Sequence, residues 1–260
     1  MFDQINLNLE NKYFLVTGAA GSIGKMISEY LANYGANLIL IDKDIKKLKE
    51  LNSKLKVYKK SVKYYQCNFE RENNRNNVLN KILKENKLID TIINNAAYIG
   101  DTKLKNWDKE FKYQSVKNWK NCFEVNLTSI FHICQKLTKL LNKSKSPSII
   151  NISSIYGIMA PDFDIYKNEN FNNPAAYSVS KSGLIYLTRW LASSLAPKIR
   201  VNCISIGGIK RNQSKTFKKK YIDTTLLKRM ATEEDIIGSI LFLSTSFSNY
   251  ITGQNIIIDG

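Results

Sequence analysis

The sequence predicts an α/β fold: one domain built on a doubly wound parallel sheet of about seven strands with helices on both faces. That expectation rests on three observations. Short β-branched, apolar runs alternate with longer stretches of helical period. A strand near the amino end runs straight into a glycine-rich turn and then a helix. No internal repeat or low-complexity linker divides the 260 residues, and 43% of them are hydrophobic, enough for one full core spanning 1–260.

In chain order, strands are expected over 13–17, 37–42, 62–67, 90–94, 148–152, 200–205 and 255–259. Helices are expected over 22–34, 46–55, 73–85, 119–141, 175–195 and 233–243. The last is announced by Thr232-Glu-Glu-Asp235, a capping-box pattern that satisfies the first free amides of a helix. No apolar run is long enough to cross a bilayer, and Met1-Phe-Asp-Gln4 does not open a secretory signal; a cytoplasmic protein without a membrane partner is expected.

The formal charge of +17 invites a nucleic-acid partner, but the lysines are scattered, and none is expected. Lys215-Thr-Phe-Lys-Lys-Lys220 is the one compact basic run, read as part of a mobile segment and better matched to an anionic small substrate. Cys67, Cys122, Cys134 and Cys203 lie far apart without a CxxC or Cys/His cluster, so reduced thiols and no metal are expected. His132 is the only histidine, which leaves metal or triad chemistry resting on one residue.

The strand over 13–17 leads into Gly18-Ala-Ala-Gly21-Ser22-Ile23-Gly24 and a helix, the context of a dinucleotide site. Glycines let the backbone approach a pyrophosphate, and the helix amino terminus offers free N–H groups. Asp42 ends the next strand, where an acid accepts the adenosine ribose hydroxyls and repels a 2′-phosphate; NAD is favoured over NADP, with Lys43, Lys46 and Lys47 pulling the other way. The bland alternative for Asp42 is a helix-capping or surface acid.

Tyr177 and Lys181 stand four apart in a helical stretch, so both share one face. A nearby ammonium stabilises tyrosinate and lowers the phenol pKa, which lets tyrosine act as acid and base at a carbon–oxygen centre. Tyr113 and Lys117 have the same spacing, so context decides. Ser153-Ser154 ends the strand before Tyr177, placing a hydroxyl in the ligand crevice at the carboxyl edge of the sheet. Nothing comparable accompanies Tyr113.

Taken together these residues resemble the short-chain dehydrogenase/reductase family over nearly the whole chain. Thr17-Gly18 with Gly21 and Gly24 resembles its cofactor loop, Asn94-Asn95-Ala96-Ala97 its strand-stabilising motif and Asn126 its active-site asparagine. Ser154, Tyr177 and Lys181 match the rest of the catalytic set, and Arg200-Val-Asn202 and Ile256-Ile-Ile-Asp-Gly260 the two late strands. The resemblance implies a Rossmann-like domain in which Tyr177 exchanges the proton, Lys181 lowers its pKa and holds the nicotinamide ribose, Ser154 orients the substrate oxygen and Asn126 anchors a water. It adds Thr17, Ser22, Ile23, Asn68, Asn95, Ala96, Gly207 and Ile209 to the cofactor site. It implies a homodimer or homotetramer paired through the helices near 126–141 and 177–195.

This chain departs from the family pattern in several places. The glycine spacing is nearer the family's extended branch, whereas the length is that of the short branch. Asn68 replaces an acid near the adenine, Ile206 replaces a proline, and relatives usually run a little past Gly260. About ten extra residues separate Ser154 from Tyr177; the insert, 162–173, is expected to overhang the site with polar side chains, giving Tyr156 and Asp162 as candidate substrate contacts. Ser153-Ser-Ile-Tyr-Gly157 with Ala160-Pro-Asp-Phe163 is similar to a subgroup associated with bacterial surface-glycan, flagellin-modification and nonulosonate sugar pathways. The expected activity is therefore NAD(H)-dependent interconversion of a secondary alcohol and a ketone on a sugar-type small molecule. The rivals are a 3-oxoacyl thioester reductase and a non-catalytic nucleotide-sensing protein of the same fold.

Overall fold

The computed structural model describes residues 7–99 and 104–260; the opening tetrapeptide read above lies outside them. Seven strands form one sheet: β1 Tyr13–Thr17, β2 Asn37–Asp42, β3 Val62–Gln66, β4 Thr91–Asn94, β5 Ser148–Ser154, β6 Arg200–Ile206 and β7 Asn255–Ile258. Their order is β3-β2-β1-β4-β5-β6-β7 with every pairing parallel. The order reverses between β1 and β4, which opens a crevice beyond the carboxyl ends of those strands.

The helices are α1 Ser22–Asn33, α2 Ile45–Leu55, α3 Glu72–Glu85, α4 Val116–Phe123, α5 Ser129–Leu141, α6 Ala175–Leu195, α7 Lys215–Thr224 and α8 Glu234–Ser244. Alternate side chains of the strands feed two cores. Phe14, Val16, Leu38 and Leu40 pack with Ile27, Leu31, Leu48, Ile237 and Ile240 beneath α1, α2 and α8. Leu15, Ile39 and Ile92 pack with Leu79, Ile82, Ile133, Leu137 and Leu184 beneath α3, α5 and α6. Each such side chain contributes about 1.5–3 kcal/mol relative to exposure, so the sheet is a rigid platform for the loops at its carboxyl edge.

Three segments differ from the sequence expectation. The helix expected over 119–141 starts at Val116, where the Ser115 hydroxyl accepts the Asn118 N–H at 3.4 Å, and it is interrupted by a π-turn, Glu124–Thr128. β5 extends to Ser154 because its register with β6 continues to the pair Ser154↔Ile206. The basic run placed in a mobile segment is helix α7: Ser214 caps it, accepting the Phe217 N–H at 2.9 Å, and Phe217 and Tyr221, four apart, are buried on its inner face. Half of the expected capping box forms, the Asp235 carboxylate accepting the Thr232 N–H at 2.7 Å ahead of α8.

Candidate active site

The loop after β1 is built around close backbone approach. Gly18 has φ +63, and a Cβ there would stand 2.8 Å from the Ala96 Cα; a Cβ on Gly24 would stand 2.1 Å from the Gly18 carbonyl oxygen. The Thr17 hydroxyl accepts the N–H groups of Asn95 and Ala96, each at 3.0 Å. The Asn95 side chain donates back to the carbonyls of Thr17 at 3.0 Å and Gly18 at 3.1 Å. The turns after β1 and β4 are thus stitched into one body. The Asn95 amide, expected at the cofactor, is engaged in that stitching.

Gly21 is the N-cap of α1 and supplies no side-chain acceptor, so the first turn, with Ser22 and Ile23, presents its N–H groups outward. Asp42, at the end of β2, accepts the N–H of Ala20 at 2.9 Å and of Asp44 at 3.0 Å, which fixes its carboxylate at the rim of the same turn. The helix-capping role belongs instead to Asp44. Asn68 accepts the Glu70 N–H at 3.0 Å and lines a cleft of about 660 Å³ together with Gly18, Lys43 and Ala96. A glycine cradle that a Cβ would fill, an uncapped helix end and an acid beside them suit a dinucleotide.

At the ends of β5 and α6 lies the second group. Ser154 is buried, and its Oγ accepts the Tyr156 N–H at 3.2 Å. The Ser153 hydroxyl donates to the Lys181 carbonyl at 2.9 Å, tying α6 to β5. Lys181 Nζ, buried, donates to the Ile152 carbonyl at 2.7 Å and stands 5.7 Å from the centre of the Tyr177 ring. Burial pushes this lysine down to about 8.

Burial also pushes the Tyr177 phenol up, to about 12, with the Ser154 hydroxyl beside it pulling the other way. The sequence expectation of a phenol lowered by Lys181 is therefore reversed in the protein alone. Desolvation outweighs an ammonium whose proton is directed at a main-chain oxygen.

Asn126 lies in the π-turn and is fully buried. Its Oδ1 accepts the Tyr98 N–H at 2.6 Å, and its Nδ2 donates to Ser180 Oγ at 3.0 Å and toward Cys122 Sγ at 3.3 Å. Its side-chain amide is thus held by protein partners. Ser180 completes the link by donating to the Tyr177 carbonyl at 2.8 Å. Ser180, one turn from Tyr177, was not singled out from the sequence; only its place inside Tyr-x-x-Ser-Lys marks it.

The remaining walls come from β6 and the insert. Gly207 leaves β6, and Ile209 forms an isolated parallel bridge with Ala231. The insert reaches this end of the sheet through Tyr166, bonded to Tyr156 at 2.7 Å, and its Asn173 is buried, whereas Asp162, Asp164 and Lys167 face outward. Asp162 is exposed and caps a short turn by accepting the Asp164 N–H at 2.9 Å, and Asp164 pairs with Lys167 at 2.7 Å. The expected substrate contact at Asp162 is replaced by the insert's apolar side: Ile165, Tyr166 and Phe171 pack against Phe217 and Tyr221 of α7. Tyr113 is exposed on a short turn, outside this constellation. His132 is half-buried on α5, its pKa lowered by burial and by Arg75.

A family profile described as enoyl-(acyl carrier protein) reductase matches residues 18–260. The fold superposes on the NAD+-bound short chain dehydrogenase from Leptospira borgpetersenii serovar Hardjo-bovis with a TM-score of 0.83 and 31% identity, covering 100% of this chain and 96% of that one. The chain belongs to the short-chain dehydrogenase/reductase family. Within it, the chain is 32% identical over 254 residues to the post-translational flagellin modification protein A of Campylobacter coli, covering 96% of this chain and 98% of that protein. It is also 32% identical over 259 residues to the 3-oxoacyl-(acyl-carrier-protein) reductase FabG of Buchnera aphidicola, with 98% of both covered. It is thus an oxidoreductase of this family, and among the described residues no helix is long and apolar enough to cross a membrane.

Proposed function

We propose that this oxidoreductase interconverts a secondary alcohol and a ketone on a sugar-type substrate with NAD(H). The observation that carries the chemistry is the convergence of Ser154, Tyr177 and Lys181 at the carboxyl edge of β5, one strand beyond β4 from the glycine loop of β1. When bound, the nicotinamide accepts or delivers the hydride. Thr17, Gly18, Gly21 and Ala96 shape the pyrophosphate cradle, and Asp42 selects the unphosphorylated ribose. Tyr177 passes its phenolic proton to the carbonyl oxygen during reduction and takes it back during oxidation. Ser154 Oγ holds that oxygen as charge develops on it. Lys181, 5.7 Å from the centre of the Tyr177 ring, would hold the nicotinamide ribose, and Asn126 braces α4 against α6 so that Tyr177 keeps its place.

Sugar specificity is supported by likeness to the flagellin modification protein and by three tyrosine hydroxyls, of Tyr156, Tyr166 and Tyr221, around the candidate site. A second reading, 3-oxoacyl thioester reduction, draws support from the FabG likeness and from an apolar groove of about 470 Å³ beside Tyr156, lined by Phe111, Ile158, Met159 and Phe163. Steady-state assays of the purified protein with NAD across nucleotide sugars, free nonulosonates and hydroxyacyl thioesters separate the two. Turnover confined to sugars is expected, and turnover confined to thioesters would transfer the assignment to the second reading.

The family habit of pairing has a surface to match. Tyr186 and Trp190 of α6 are 69% and 54% exposed, and with Leu127, Phe131 and Leu187 they line an apolar groove between α5 and α6. We infer that a second copy of the chain covers it.

A further inference from the structure

Tyr156 Oη and Tyr166 Oη stand 2.7 Å apart, joining the turn after β5 to the insert. Tyr156 is two residues past Ser154 and is fixed there by its own N–H on Ser154 Oγ. Tyr166 is buried, edge-on to Phe171 at 5.8 Å and tilted against Phe217 at 5.6 Å. Behind it the Tyr221 hydroxyl accepts the Gly208 N–H. The pair is thus held from three sides: the catalytic strand, the insert and α7.

Among the described residues neither hydroxyl has an acceptor other than its partner, so one O–H is left unspent whichever of them donates. The Asn173 side chain lowers the Tyr166 phenol and so reaches it as a donor, while its Oδ1 accepts the Ser178 hydroxyl at 2.7 Å. Two phenylalanines would fill the same aromatic cluster without burying polar atoms, so packing alone gives no reason for these hydroxyls. They are neutral donors and acceptors, since burial raises both phenols above the ordinary tyrosine value.

We propose that the Tyr156–Tyr166 hydroxyl pair is the specificity-determining station for a second hydroxyl of the substrate, on a ring carbon near the reacting carbinol. A cyclic polyol or pyranose satisfies the spare O–H, whereas an isolated secondary alcohol or an acyl chain leaves it unpaired. The proposal rests on the sugar-type reading above and adds to it which residues discriminate.

The test uses the full chain with NAD and three probes: myo-inositol, 1,2-cyclohexanediol and cyclohexanol. Tyr156→Phe and Tyr166→Phe keep the rings, so packing is retained, and thermal melts check it. The wild type is expected to favour the two polyols over cyclohexanol in kcat/KM. Each variant is expected to cut that ratio by about ten- to hundred-fold, chiefly through KM. Binding of the polyols without turnover, read by saturation-transfer NMR, should weaken in the same two variants. A wild type that prefers polyols while both variants retain the full ratio and the NMR signal overturns the role of the pair and leaves the sugar reading standing. A wild type that turns over nucleotide sugars or nonulosonates but neither turns over nor binds any polyol overturns the role of the pair alone; one inactive on all of these overturns both.

Discussion

Arg75 Nη2 stands 2.5 Å from Glu124 Oε1, and the pair joins α3 to the first residue of the π-turn that carries Asn126. The same guanidinium donates to the Phe69 carbonyl, in the loop that lines the 660 Å³ cleft beside Gly18, while its buried Nε has no partner among the described residues. One buried cation therefore ties a wall of the candidate cofactor cleft to the brace of the candidate catalytic helix. Arg75→Met strands both the carbonyl and the carboxylate and is expected to cost about 2–4 kcal/mol, with Glu124→Gln milder at about 1 kcal/mol. Urea unfolding of the two single variants and the double variant checks it; additive losses would show that the pair is uncoupled.

Tyr177→Phe removes the exchanged proton and leaves the ring. Turnover is expected to fall about 10²–10⁴-fold, with cofactor affinity, read by fluorescence titration, little changed. Undiminished turnover would remove Tyr177 from the mechanism.

Lys181 gives a pH dependence with a definite sign. Its pKa is about 8 in the folded chain against an ordinary value of 10.5, so between these values the unfolded chain holds the proton and the folded chain does not. Stability from this group therefore rises with pH across that window, by up to about 1.4 kcal/mol per pH unit. Lys181→Met lacks the effect: relative to wild type its advantage, or its smallest deficit, is expected below about pH 8 and should erode toward about pH 10 in urea titrations. Parallel curves for the two proteins would refute the shift.

Asp42→Ala deletes the acid at the ribose position and is expected to move the ratio of kcat/KM for NAD over NADP toward NADP by about ten-fold or more. An unchanged ratio would leave the NAD preference without its stated cause. The variant also loses acceptors for Ala20 and Asp44, so a rise in KM for both cofactors should accompany the change.

Trp190→Glu places a charge in the exposed groove between α5 and α6. Sedimentation should report a wild type of two or four chains and a variant shifted toward the single chain. Identical masses would show that this face is not the contact.

The strand–glycine–helix passage, the alternation of elements and the shared face of Tyr177 and Lys181 were legible in the sequence because short-range geometry dictates them: a turn, a period, a four-residue spacing; Asn126 stood out only by resemblance to the family. Tertiary desolvation was not legible. The sequence carries no sign that burial overrides the ammonium at Tyr177, or that Asn126 spends its amide on Ser180 and Cys122. The insert misled for a related reason. Its many Asp and Asn residues suggested a polar lining, yet the segment turns Ile165, Tyr166 and Phe171 inward and the charges of Asp164 and Lys167 to water. The spacing of Phe217 and Tyr221 inside the basic run was the available signal for α7.

The insert and α7 are fastened to each other. Ser214 Oγ donates to Glu169 at 2.5 Å, and Lys220 Nζ holds the carbonyls of Asp164 at 2.9 Å and Lys167 at 3.1 Å, around a shared aromatic core. Two segments about fifty positions apart in the chain therefore pack as one unit. A descendant could exchange both together, acquiring a new appetite while the sheet and its proton-transfer residues stay as they are, whereas exchanging either alone would leave half an aromatic core facing water.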